Sequence, residues 1–224
     1  MAESKLPKRT ILPEGWVLVV DRQESLKKLQ NQEFASLAIS AIEIRIDLWQ
    51  GPFPAPQELL GLSVLVTSRN CPKGSQKAQQ RDDLCSKLEA VLDVDPQTDA
   101  PAPDQLPWIY SCHRSEKTQA TAAQQIAEAQ QLGAAAIKIV WPAGASSETS
   151  MNHKKALAVP AINPNFPIVS FCATHNAAKH RREALDRGQP WGYARIDPAL
   201  ADIPGLPTLQ QLLQEPLQDG PIQD

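Results

Sequence analysis

The chain has 224 residues, 42% of them hydrophobic, and a net charge of −3 from 22 basic and 25 acidic side chains. That is enough apolar material for one large core, and the scattered, balanced charge gives no support for a nucleic-acid or membrane-surface partner. No apolar run approaches the roughly 18 residues of a membrane span, residues 1–13 lack a signal-peptide core, and the four cysteines show neither CxxC pairing nor metal-ligand spacing. A reduced, cytoplasmic chain fits Cys71, Cys85, Cys112 and Cys172 better than a disulfide framework.

In chain order, short apolar runs alternate with segments of helical period. Trp16–Val20 reads as a buried strand and Glu24–Ile39 as an amphipathic helix. Ala41–Asp47 is a second strand in which Glu43, Arg45 and Asp47 share one face, because strand side chains repeat every two residues. A Pro-rich turn with a short helix (Pro54–Leu60) leads to a third strand, Ser63–Thr67, ending in Ser68-Arg69. Gln76–Glu89 is helical and Ala90–Asp95 is a fourth strand. Pro96–Pro107 carries four prolines in twelve residues, which forbids a regular helix. Trp108–Cys112 is the fifth strand and ends at His113, followed by an Ala/Gln-rich helix, Thr118–Leu132, stopped by Gly133. The remaining strands are Ala135–Val140, Pro167–Cys172 and Gly192–Ile196, with helices over Glu148–Ala158, Ala177–Asp186 and Pro207–Gln214.

Eight strands interleaved with helices predict a parallel sheet, and eight is the number that closes a (β/α)8 TIM barrel. An open doubly wound sheet would carry a Gly-rich loop after its first strand, and Val20–Glu24 has no glycine. The expectation is therefore a single barrel domain over residues 1–224, with 1–13 and 215–224 as flexible tails and the helix position at 96–107 replaced by a Pro-rich loop. The missing helix should uncover apolar surface on strands four and five (Val91 or Val94, and Trp108), and a second subunit, giving a homodimer, is the simplest cover.

Catalytic residues of such barrels come from the C-terminal ends of the strands and the loops after them. Those ends carry Glu43, Arg45, Asp47, Arg69 and His113, with Lys138 inside strand six between Ile137 and Ile139. Lys138 reads either as a strand-edge residue that reaches solvent by its stem, or as a desolvated amine able to attack a carbonyl. His113 at the end of the neighbouring strand can meet it, since adjacent strands lie about 4.8 Å apart. Arg45 and Asp47 read equally as a structural pair. His153, His175 and His180 read as surface residues. Arg181, in Lys179-His-Arg-Arg182, can point at the barrel mouth and hold a carboxylate in bidentate fashion.

The order of these pieces resembles type I 3-dehydroquinate dehydratase, over about Val17–Leu213. Ile42-Glu-Ile-Arg-Ile-Asp47 is similar to the family's E-x-R-x-D strand, Val66-Thr-Ser-Arg69 to its T-F-R strand end, and Tyr110-Ser-Cys-His113 to the S-x-H segment bearing the catalytic histidine. Gly133–Lys138 resembles the G-A-D-x-x-K strand with the Schiff-base lysine, and Arg181 falls at the family's S-R arginine. The resemblance implies Lys138 and His113 as catalytic residues, Glu43, Arg45, Arg69 and Arg181 as substrate contacts, 3-dehydroquinate as substrate, and no metal or cofactor.

The departures are specific. The family's glutamate after the strand-three arginine has no counterpart, with Lys73 near that place. The S-A-P-G-Q closing loop becomes Asp202-Ile-Pro-Gly-Leu206, and the Asp after the histidine becomes Arg114. They open two further readings: a barrel acting on another keto-acid, and a catalytically inactive binding module.

Overall fold

In the computed structural model the described residues are 12–29, 37–59, 61–115, 117–174, 176–196, 203 and 205–214. They form eight parallel strands: β1 (Gly15–Val20), β2 (Ile39–Arg45), β3 (Ser63–Thr67), β4 (Val91–Val94), β5 (Trp108–His113), β6 (Ala136–Trp141), β7 (Ile168–Cys172) and β8 (Trp191–Arg195). The helices are α1 (Gln23–Leu29), α2 (Gln76–Leu88), α3 (Ala122–Gln131), α4 (Ser146–Ala158), α5 (Ala177–Asp186) and α6 (Leu209–Gln214). The chain is a (β/α)8 TIM barrel in one domain. Its sheet runs β7-β6-β5-β4-β3-β2-β1-β8, so strands adjacent in sequence pair and β8 returns to β1.

The helices start where local chemistry satisfies their free amides. Ser75 caps α2 by accepting from Ala78 N at 3.1 Å. Thr121 and Gln124 form a reciprocal capping box at α3. The strands separate two cores by alternation. Val17, Val19, Ala41, Leu65, Val91, Ile109, Ala136 and Val169 fill the barrel interior, while Leu18, Ile42, Val66, Leu92 and their neighbours pack outward beneath the helices. Gly15 is required where it stands: its φ is +98°, and a Cβ would come within 2.5 Å of the Ala38 carbonyl oxygen, which accepts from Trp16 N.

The boundaries shift in places. The helix expected over Glu24–Ile39 ends its described part at Leu29, and Ile39 already belongs to β2, paired with Trp16. The inter-strand ladder overrides helical periodicity there. The short helix near Pro54 is a single 3-10 turn, Pro56–Leu59. The expected N-terminal tail is shorter than 1–13, because Pro13 is buried and Leu12 packs on the inner core. Residues 1–11 and 215–224 lie outside the described residues.

Between β4 and β5 there is no helix, as the prolines require. The loop is pinned by polar contacts instead. Asp99 accepts from Cys71 N at 3.2 Å and Asp95 N at 3.0 Å. Arg81, with 0% of its surface exposed, donates to the carbonyls of Ala100 (2.9 Å) and Pro101 (3.3 Å). Of the residues expected to be uncovered, Val91 faces the interior and Val94 is buried, with Ala102 and Leu106 of the loop on the same core. The loop thus does part of the helix's covering. Trp108 remains half-buried beside a groove of about 1230 Å³, lined also by Val64, Leu88 and Leu132.

β7 and β8 share no ladder. Their seam is closed by a side chain: Ser170 N donates to Gln189 Oε1 at 2.8 Å, and Gln189 Nε2 donates to the Ser170 carbonyl at 2.9 Å. The amide imitates the strand that is not there.

Candidate active site

The inward positions of the strands change character toward their C-terminal ends. β2 carries Glu43 then Arg45, β3 carries Thr67 with Arg69 beyond it, β4 carries Asp93, β5 carries Ser111 then His113, and β6 carries Lys138. Register places Ser111 beside Lys138 and His113 beside Val140, one inward step above the amine. The predicted residues Glu43, Arg45, Arg69, His113 and Lys138 are therefore gathered at one end of the barrel, and Arg181 joins them from α5.

Lys138 does not reach solvent; it is 3% exposed. Its amine is desolvated, as one reading of the sequence had it, and it has a partner. It forms an ion pair with Asp93 of β4, itself 1% exposed. Burial by itself would raise the Asp93 pKa, but the Lys138 ammonium, with Arg69 and His113, holds it below the usual carboxylate range. Asp93 is the principal residue that sequence reasoning missed. The signal was present, an acid between Leu92 and Val94 in a buried strand, but only the strand order turns it toward Lys138.

Glu43 is buried and accepts from Thr67 Oγ1 at 2.5 Å, which ties β2 to β3. Arg45 grips Asp47 through Nε (2.9 Å) and Nη2 (2.6 Å), the structural pair that spacing allowed. Burial works against the Arg45 charge, but the Asp47 bonds and the carboxylates of Glu43 and Asp93 raise its pKa overall. Arg69, half-buried, makes no hydrogen bond or ion pair among the described residues.

His113 is exposed as a residue at the rim, while its ring feels the charges of the mouth. Partial desolvation first, then Arg69, Lys138 and Arg45, push its pKa well below the ordinary imidazole value, with Asp93 opposing. It is neutral at pH 7 and can accept a proton.

Arg181 is buried, and desolvation lowers its pKa to about 9. Its guanidinium lies 3.4 Å over the Phe171 ring and donates from Nη2 to the Gly205 carbonyl at 3.1 Å. Among the described residues, Nε and Nη1 have no hydrogen-bond partner. Gly205 sits so close to the end of β7 that a Cβ would meet Ala173 C and Thr174 N at 2.8 Å. Leu206 beside it enters the inner core. Asp202 and Pro204 of the same loop, like Glu116 and His175, lie outside the described residues.

Other residues singled out in the sequence lie away from the mouth, and His153 and His180 need correction. Arg114 is turned away from the mouth, donating to the Ala120 carbonyl at 2.8 Å and covering Trp141 on the outer core at 4.6 Å. Lys73 is exposed in the loop after β3. His153 is buried rather than superficial, and His180 is half-buried. Their rings stack at 3.6 Å between α4 and α5, and His153 Nε2 contacts Glu183 at 2.8 Å. The alternation of apolar and polar residues in α4 is too weak to show which side faces inward. All of the cysteines are free and buried.

Among the described residues, no group of three or more His, Cys, Asp or Glu side chains is placed to hold a metal ion. No helix among them is long and apolar enough to cross a membrane.

No protein-family model matches the sequence, and no curated protein matches it. Solved structures do. A type I 3-dehydroquinate dehydratase from Clostridium difficile, with covalently modified comenic acid, superposes with a TM-score of 0.66 at 13% identity, covering 90% of each chain. The 3-dehydroquinate dehydratase from Geobacillus kaustophilus gives 0.62 at 13% identity, over 89% of this chain and 88% of that one. A 3-hexulose-6-phosphate synthase from Salmonella typhimurium gives 0.54 at 12% identity, over 89% and 99%. The likeness is one of fold. It leaves the reaction to be argued from the side chains.

Proposed function

We propose that the chain is a Schiff-base-forming lyase that dehydrates 3-dehydroquinate to 3-dehydroshikimate without a cofactor. One observation carries the reading: a lysine buried within a strand, ion-paired to a buried aspartate, stands one inward step below a neutral histidine at the barrel mouth. A barrel kept only for its shape has no physical reason to bury that pair.

Each group has a step. The Lys138 amine adds to the C3 ketone and water leaves, giving an iminium that draws electrons from C2. Asp93 supports the cationic states of the amine before and after. His113 takes the C2 proton, the C2 electron pair forms the C1–C2 double bond, and the C1 hydroxyl departs as water with a proton from His113. Water then hydrolyses the iminium and frees Lys138. The carboxylate falls to Arg181, whose Nε and Nη1 are unpartnered among the described residues; Nη1 with the second hydrogen of Nη2 makes the bidentate fork. Arg69 and the free edge of Arg45 hold ring hydroxyls, with Glu43 accepting from them.

The test is borohydride reduction in the presence of 3-dehydroquinate. The ligand mass should appear on the peptide containing Lys138, and Lys138→Ala should lose both the adduct and dehydration. Dehydration without an adduct, or an adduct on Lys73 or Lys154, refutes the assignment. The apolar Leu206 in the closing loop favours one variant, a barrel of this chemistry acting on a different keto-acid. A panel of keto-acids in the same trapping assay separates the two.

A further inference from the structure

The barrel interior contains polar atoms that no described residue satisfies. Ser111 Oγ, Arg181 Nε and Nη1 and Tyr193 Oη are buried without a close hydrogen-bond partner, the Trp191 side chain lying near enough to act on the phenol as a donor while leaving the phenol's own proton free. They come from β5, α5 and β8, and two of them, Ser111 and Tyr193, stand beside the amine of Lys138. Ser111 is its register neighbour on β5. The Tyr193 ring lies 5.0 Å from Lys138 Nζ and meets Phe171 edge-on at 5.9 Å, and Phe171 carries Arg181 on its face.

A buried donor left unpaired costs about 1–3 kcal/mol. Several in one place mark a site whose partners arrive with a ligand. Arg181 is already assigned to a carboxylate and Lys138 to a ketone. Tyr193 has no such assignment. The alternation of β8 turns it inward with Trp191, into the cluster that holds Val17, Phe171 and Leu206. It is 3% exposed. Packing alone would be served by phenylalanine, and the Trp191 side chain occupies only the acceptor side of the hydroxyl, so it is the buried O–H donor that needs a reason.

We propose that Tyr193 is a specificity-determining residue: its hydroxyl hydrogen-bonds a ring hydroxyl of a cyclic polyhydroxylated carboxylate whose carboxylate lies on Arg181. The proposal rests on the dehydratase reading only for the orientation of that ring. Burial and the Asp93 and Glu43 carboxylates hold the phenol protonated far above neutral pH, so it donates to the ligand oxygen. The donor lies on β8, near where Gly205 approaches the end of β7 and Leu206 enters the inner core, and His113 lies three strands away on β5. A ligand held at both places is fixed between base and donor.

The experiment uses quinate, which has the carboxylate and ring hydroxyls but no ketone and cannot form an imine. Its affinity is measured by calorimetry for the wild-type chain and Tyr193→Phe, beside cyclohexanecarboxylate, which keeps only the carboxylate. Tyr193→Phe should weaken quinate about five- to tenfold, the worth of one neutral hydrogen bond, and leave cyclohexanecarboxylate unchanged. Equal quinate affinity in the two proteins overturns the proposal, and equal affinity with a lowered melting temperature shows the hydroxyl to be structural. Absence of quinate binding to the wild-type chain also overturns it. The borohydride assay reports on Lys138 separately. Quinate discrimination without a Lys138 adduct would keep the subsite and discard the dehydratase reading.

Discussion

At the scale of the residue, His113 sets the pH behaviour. A general base must be neutral to act. Desolvation and the cations Arg69 and Lys138 depress its pKa, so the acid limb of kcat/KM should lie below pH 6.5, where an ordinary imidazole would already be half protonated. A pH–rate profile that falls with a midpoint near 6.5 or above would refute this. The same shift has a sign in stability. The unfolded chain binds a proton on this imidazole near pH 6.5, whereas the folded one binds it only at lower pH. Unfolding therefore takes up a proton in that window, and stability rises with pH across it. His113→Gln should flatten this part of the stability profile. Much of the site was legible at this scale, because a charged residue inside an apolar strand is costly enough to announce itself, and Lys138 did. Asp93 carries the same signal but stayed unread. Its meaning depends on facing Lys138, from which it is 45 positions away along the chain. Tyr193 was not singled out for a similar reason, since a buried hydroxyl's role is visible only when its surroundings are.

At the scale of the element, strand identity follows from composition, and the ends of elements do not. The helix before β2 was extended too far because Leu37 to Ile39 continue its apolar period, while the competing ladder to Trp16 has no local signature. The Pro-rich connection was read correctly because proline's missing amide acts locally. The seam between β7 and β8 could not be read at all, since it depends on one glutamine amide meeting one serine backbone. That contact is open to direct test. Gln189→Leu leaves the buried Ser170 N–H and carbonyl without partners, at about 1–3 kcal/mol for each group, so stability should fall by about 2–5 kcal/mol in urea denaturation. Gln189→Glu keeps the shape but sets a buried carboxyl against the Ser170 carbonyl, so its loss should be smaller at acid pH, where the protonated group can still donate, than at pH 8. A Leu variant within 0.5 kcal/mol of the wild type, about the spread of neutral surface substitutions, would show that the seam is held elsewhere.

At the scale of the whole molecule, the barrel brings together residues from six strands and a helix, yet one part of the resembled constellation is missing. The place of the family's glutamate is near exposed Lys73, and Arg114 is committed to the outer core. The carboxylate that acts on His113 is Asp93, which is already paired with Lys138. An acid that orients a histidine also stabilises its imidazolium, so a shared acid should serve less well. If the chain is a dehydratase, its turnover should be about tenfold lower for each of two defects, the absent glutamate and the apolar lid, at about 1.4 kcal/mol apiece. Steady-state kinetics beside a relative with the complete motif set would measure this, and equal turnover would show that the departures are compensated. The Pro-rich loop has a consequence of a different kind. It falls at the midpoint of the barrel, so a nick between exposed Asp104 and Gln105 divides the chain into a first half with β1–β4 and a second with β5–β8. The halves retain two ladders by which to rejoin, β4 with β5 and β1 with β8. Glu43, Arg45, Arg69 and Asp93 belong to the first, His113, Lys138, Tyr193 and Arg181 to the second. Neither half alone has the Lys138–Asp93 pair, so co-expressed fragments should regain imine trapping only as they reassemble, and the reaction itself would report the reunion of the two.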